Sequence, residues 1–158
     1  MAAKKPSYNG HLTKNFGYQE MIKSSTADRL GISNDATREH VINLVNLCNF
    51  ILQPVRDEFG PIRINSGYRS PALNKAVGGS KTSQHCNGQA ADFEVPGVDN
   101  YELALWIADN LPYDQLILEY YSGGNTGWIH CSYVPNGRKQ KLTIDNYHGT
   151  RIGLIDGS

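Results

Sequence analysis

Two of the five histidines sit where a polar ring needs a reason. His85 lies in the Gly- and Ser-rich stretch "GGSKTSQHCNGQAADFEV", seven positions before Asp92. Asp92 stands between Ala91 and Phe93 in a segment that alternates as a strand does. Carboxylates go inside only with a partner; a metal ion is one, and Arg69 or the N–H groups of a turn are others. His130 interrupts the apolar run "GWIHCSYV". Period-two alternation puts Trp128, His130 and Ser132 on one face there, and Ile129 and Cys131 on the other. Two imidazoles and a carboxylate are a frequent catalytic zinc set, with a fourth position left for water. The facial triad of non-haem iron uses the same ligand types, so ligand type alone does not choose. Water activated on a metal needs a base beside it. Glu119 ends "DQLILE", a segment that would run beside "GWIHCSY", and Glu94 shares a face with Asp92. Asp114 lies an odd number of positions before Glu119 and therefore faces the other way. His11, His40 and His148 have polar neighbours and read as solvated.

The elements that must hold these groups follow from pattern. "NFGYQEMIKSSTADRLGI" predicts a short helix ending at Gly31. "SNDATREHVINLVNLCNFILQPVRDEFG" is the strongest helix, capped by Asn34 or Asp35, with Val41, Leu44, Val45, Leu47, Cys48, Ile51 and Leu52 as its apolar face. Pro54 bends or shortens it, and Gly60 closes it. "IRINS" is a short strand. In "SPALNKAV", Ser70 caps a helix and Pro71 takes its first position. "AADFEV" and "DQLILEYY" are strands, and "NYELALWIADN" is a helix opened by Asp99 or Asn100. "GWIHCSYV", Pro135-Asn136-Gly137 and "RKQKLTIDN" predict a β-hairpin. Helices come first and mixed elements follow, so the expected fold is α+β with a mainly antiparallel sheet.

Composition sets the outer limits. A chain of 158 residues fits one domain with a real core; residues 1–10 are expected to be a loose, flexible arm and 11–158 the domain. Lys plus Arg equals Asp plus Glu at 15 each, which argues against a general grip on nucleic acid. No apolar run follows the first lysines, so neither a signal peptide nor a membrane span is expected, and synthesis is expected in the cytoplasm. A monomer is expected. The three cysteines, Cys48, Cys86 and Cys131, make a disulfide framework improbable, and no CxxC pair exists. Cys48 and Cys131 are expected in the core; Cys86 packs or binds metal, with packing favoured.

Together, "INSGYRSPALNKAVGGSKTSQHCNGQAADF", "DQLILEY" and "WIHCS" resemble the M15 zinc peptidases of bacterial cell walls, through an S-x-H-x6-D plus W-x-H pattern. That group includes D-alanyl-D-alanine carboxypeptidases, dipeptidases and phage L-alanyl-D-glutamate endolysins. The chain is most similar to their short single-domain branch of phages and prophages, with "LQPVRDEFG" before the motif. The resemblance implies a helix-flanked antiparallel sheet of the hedgehog and D-Ala-D-Ala peptidase kind, with zinc in a central cleft. It implies His85, Asp92 and His130 as zinc ligands, Arg69 facing the substrate's carbonyl or carboxylate, and Ser83 lining the site. Many relatives carry the catalytic Glu as E-x-x-H; here that position is Gly127. The short branch takes its acid from the "DQLI-x-E" strand, which makes Glu119 the base, with Glu94 as the fallback. The implied substrate is a peptidoglycan stem peptide, reached after release of the protein from the cytoplasm. The rival reading is a zinc-bearing module that binds wall peptide without cutting it.

Overall fold

Apolar residues at helical and alternating spacings converge on one interior. The computed structural model describes residues 10–157; nearly all of the expected arm lies outside them. In chain order come α1 (Tyr18–Ile22), α2 (Ser25–Leu30), α3 (Arg38–Leu47), a π-helical turn (Cys48–Leu52) and α4 (Gln53–Phe59). Then follow β1 (Arg63–Ser66), α5 (Pro71–Ala76), a 3-10 turn (Gln84–Asn87), β2 (Ala90–Glu94) and α6 (Asn100–Asn110). Four strands close the chain: β3 (Gln115–Glu119), β4 (Trp128–Ser132), β5 (Gln140–Asp145) and β6 (Gly149–Ile152). No helix among the described residues is long and apolar enough to cross a membrane.

The N-terminal helix is two helices, the second closed by Gly31 in a left-handed conformation. The long helix starts at Thr37, whose hydroxyl accepts the His40 N–H at 3.3 Å; Asn34 and Asp35 do not cap it. Its middle widens before Pro54, and the Gln53 N–H reaches back five residues to Cys48 O. Proline has no N–H to offer and its ring crowds the carbonyl four residues earlier, so a wider turn relieves the clash. Leu44, Leu47, Ile51, Leu52 and Val55 are fully buried there. They share one core with Phe93, Ile129 and Leu118 from the sheet and with Leu103 and Ile107 from α6.

The six strands are ordered β1-β2-β4-β3-β5-β6. The sheet is mixed, not mainly antiparallel as expected: β5 runs parallel to β3 from Gln115↔Gln140 to Glu119↔Ile144. The expected hairpin between "GWIHCSYV" and "RKQKLTIDN" does not form. Both edges of β4 are already taken, by β2 and β3. The chain leaving β4 therefore crosses to the free edge of β3 and pairs there in the same direction. Asp114 secures this crossing, because its carboxylate accepts the Arg138 N–H at 3.0 Å and its backbone oxygen accepts from Gln140 N at 2.9 Å. β6 then folds back on β5. Its short segment "GTRI" has a weak strand signature, and the sequence pattern does not single it out.

Candidate metal centre and cleft

Register decides which groups meet. Phe93, Ile129 and Leu118 lie level with one another across β2, β4 and β3 and enter the core. The neighbouring level is Ser66, Asp92, His130 and Ile117, on the opposite face. Glu119 and Trp128 are paired one step further along that face. One side of the sheet thus builds the interior, and the other presents a row of polar side chains.

His85 arrives from above this row. Ser83 caps its 3-10 turn by accepting the His85 N–H at 3.2 Å. The loop before it is tied down at several points. Asn34, buried, donates to Ile22 O at 2.7 Å and Tyr68 O at 3.0 Å and accepts the Ser70 N–H at 2.7 Å. Gly67 passes so close to α1 that a Cβ there would lie 2.2 Å from Met21 O. That approach aims the Gly67 carbonyl at His85 Nδ1, 2.7 Å away.

The three sequence-derived candidates come together. Asp92 Oδ1 lies 3.3 Å from His85 Nε2 and 2.9 Å from His130 Nδ1, and one donor atom from each residue falls within 4.8 Å of the others. Arg69 is in the same place. Its NH2 meets Asp92 Oδ2 at 3.2 Å, Nε donates to Ser66 Oγ at 3.0 Å, and NH1 donates to Asn74 Oδ1 at 3.3 Å. The Arg69–Asp92 pairing weighed as an alternative to a metal therefore coexists with the cluster, each carboxylate oxygen serving one purpose. Burial would raise the Asp92 carboxyl, but the hydrogen bonds and charge of His130 and His85 outweigh it and hold it well below the usual carboxylate range.

The donor set fits zinc. Tetrahedral ligands at about 2.0–2.2 Å from zinc lie roughly 3.3–3.6 Å from one another, close to the separations here. His85 supplies a sharper test. A carbonyl oxygen only accepts, so Nδ1 donates to Gly67 O and Nε2 is the ring atom turned toward the carboxylate. A ring nitrogen and a carboxylate oxygen facing each other at 3.3 Å can share a proton or a metal cation.

Glu119 lies in a cleft of about 350 Å³ whose walls include His130, Ser83, Gln84 and Ile117. Burial, and then the charge of Asp92, push its carboxyl above the ordinary glutamate value, against the opposing pull of His130. Its Oε2 accepts the Trp128 indole N–H. Glu94 is engaged elsewhere, in a 2.8 Å ion pair with the exposed Arg63. Gly127, the E-x-x-H position, has φ +65°, and a Cβ there would lie 2.0 Å from Glu119 O. A side chain at 127 is thus incompatible with the end of β3 that carries Glu119.

Sequence reasoning missed the supports: Asn34, Asn74, Ser66 and the Trp128 indole. Trp128 had a signal, since alternation already put it on the face of His130. Asp114 also went unassigned; it is buried and accepts from Gln84 Nε2 at 3.0 Å, beside the first histidine. His40 is not simply solvated, because its ring lies 5.2 Å from that of Tyr68. Cys48 and Cys131 are buried, and burial pushes both thiols up. Cys86 is half-buried and outside the His85–Asp92–His130 group.

Compared with known proteins, residues 14–132 match the family model described as Peptidase M15. The matched segment contains every group of this cluster. A search of curated proteins finds no match to the chain.

Proposed function

The chain belongs to the peptidase M15 family, and from that membership we propose that it is a zinc-dependent hydrolase of peptide bonds in bacterial peptidoglycan stem peptides. Its bond preference is of the D-Ala-D-Ala carboxypeptidase or L-Ala-D-Glu endolysin type. His85, Asp92 and His130 hold the metal. The observation that carries this reading is their meeting within 4.8 Å around the buried His85, whose Nδ1 donates to Gly67 O and whose Nε2 faces Asp92.

Zinc held by His85, Asp92 and His130 would supply an acidified water and Lewis-acid polarisation of the scissile carbonyl. The chain's own groups do the rest. Glu119 takes the proton of the attacking water and delivers it to the leaving amine, and its raised pKa suits a group that must both accept and return a proton. Trp128 fixes which carboxylate oxygen is turned away from the reaction. Arg69 orients Asp92 through Oδ2. A guanidinium has five donors and three are engaged, so Arg69 retains two for a substrate oxygen. Ser83 shapes the wall of the cleft and the turn of His85.

Mass spectrometry of purified peptidoglycan fragments, digested with and without a chelator, tests the proposal. The expected result is zinc in the purified protein and a chelator-sensitive loss of either one D-alanine or the whole peptide beyond L-alanine. Zinc with no cleavage would favour the non-catalytic binding module; cleavage indifferent to chelation would overturn the metal mechanism.

A further inference from the structure

The strands β5 and β6 and the residues after them lie beyond the segment that matches the family, and they border a second cleft of about 480 Å³. Tyr120, Tyr147, His148, Arg151 and Asp145 are among its walls. Tyr147 is 95% exposed and Tyr120 41%. The turn that carries Tyr147 is held in place: Asp145 Oδ1 accepts the backbone N–H of Tyr147 at 2.8 Å and of His148 at 2.7 Å, and Oδ2 takes Arg151 NH2 at 2.7 Å. A fixed turn presents a ring at little further cost in entropy.

The cleft begins where the proposed active site ends. Ile144 pairs with Glu119, and its oxygen accepts the Tyr120 N–H at 2.8 Å. Tyr147 is three residues further on, in the turn that follows β5. The Tyr120 ring lies 5.2 Å from that of Trp128, the residue bonded to Glu119.

Ring faces flanked by a carboxylate, a guanidinium and an imidazole have the chemistry that recognises a sugar. A pyranose ring offers an apolar C–H face to an aromatic ring, and its hydroxyl and acetamido groups need both donors and acceptors. A wholly apolar ligand would strip water from the charged groups and return nothing. We infer that this cleft is a subsite for an N-acetylated amino sugar, so that the chain recognises stem peptide still attached to its glycan. The inference rests on the peptidase reading for its substrate and on the β5–β6 turn for its site.

Two measurements test it. In the first, kcat/KM is compared between a stem peptide and the same peptide carrying its disaccharide, for the wild type and for Y147A. The expected result is a wild-type preference of about tenfold for the glycosylated substrate, lost in Y147A with free-peptide hydrolysis unchanged. Equal rates on both substrates in the wild type would overturn it, as would an equal loss on both in Y147A. In the second, a β-1,4-linked N-acetylglucosamine tetramer is titrated calorimetrically into both proteins. Binding weakened about tenfold by Y147A is expected, and no heat at millimolar sugar would overturn the subsite. Sugar binding that depends on Tyr147 without any peptide hydrolysis would leave the subsite standing and remove the peptidase reading.

Discussion

Replacing Glu119 by Gln separates its proposed chemical role from its structural one. The two side chains have nearly the same shape, and an amide oxygen still accepts the Trp128 indole N–H. The fold already disfavours a charge at 119, first through burial and then through Asp92. Removing that charge therefore costs no stability, and the melting temperature of Glu119→Gln should match that of the wild type within about 2 °C. Zinc stoichiometry should also be unchanged, because Glu119 is outside the His85–Asp92–His130 group. Only the proton transfer is lost. A positioned general base contributes roughly 10²–10⁴-fold, so kcat should fall by that factor, or about 2.7–5.5 kcal/mol at 1.36 kcal/mol per decade. The assay is stem-peptide hydrolysis followed by mass spectrometry, with metal analysis and a thermal melt on the same preparation. Full activity would refute the assignment of the base. Loss of zinc or a large fall in melting temperature would show that Glu119 holds the metal or the fold instead.

His85→Ala and His130→Ala should each abolish stoichiometric zinc. In the wild type, metal at a hundred times its Kd should add about 2.7 kcal/mol, roughly 5–10 °C in melting temperature, and neither variant should show this gain in scans with and without zinc. In the metal-free protein the Glu119 carboxyl should titrate above the ordinary glutamate value, because burial and then the charge of Asp92 disfavour its ionised form; an NMR titration of that carboxyl at or below the ordinary value contradicts it. Gly127→Ala should destabilise the protein by about 2–4 kcal/mol, combining the left-handed backbone with the clash against Glu119 O. Chemical denaturation measures the loss, and kcat should fall with it as β3 shifts.

The parts of the site legible in the sequence were those with a short-range signature. His130 declared its face by alternation, Asp92 by its apolar neighbours, and Ser70 and Asp99 by their place before helices; both do cap, at Leu73 N and at Tyr101 N and Glu102 N. Asn34 was misread as a cap because Asn before a helix usually is one. Its actual partners are 12 and 34–36 positions away, and no local pattern encodes them. The β4–β5 hairpin failed for a related reason. Pro135-Asn136-Gly137 is a sound turn signal, but whether a turn closes a hairpin depends on a free edge at the strand before it. That edge was taken by β2, which lies some forty residues upstream. Arg69 could be seen as a carboxylate binder, while its threefold anchoring by Ser66, Asn74 and Asp92 needed the register of β1 on β2.

The division of Asp92 between its two oxygens has a consequence for the sign of the local field. Leaving aside the imidazoles and the paired Arg138 and Asp114, the metal-free pocket carries the negative charges of Asp92 and Glu119 against the positive charge of Arg69, a formal balance of one negative. A divalent cation turns that balance to one positive without moving a side chain. Stem peptides bear free carboxylates, so the same opening repels its ligand when empty of metal and draws it in when loaded. Metal occupancy would then set the encounter rate as well as the chemistry, and the salt dependence of the association rate for stem peptide would change sign between the two states.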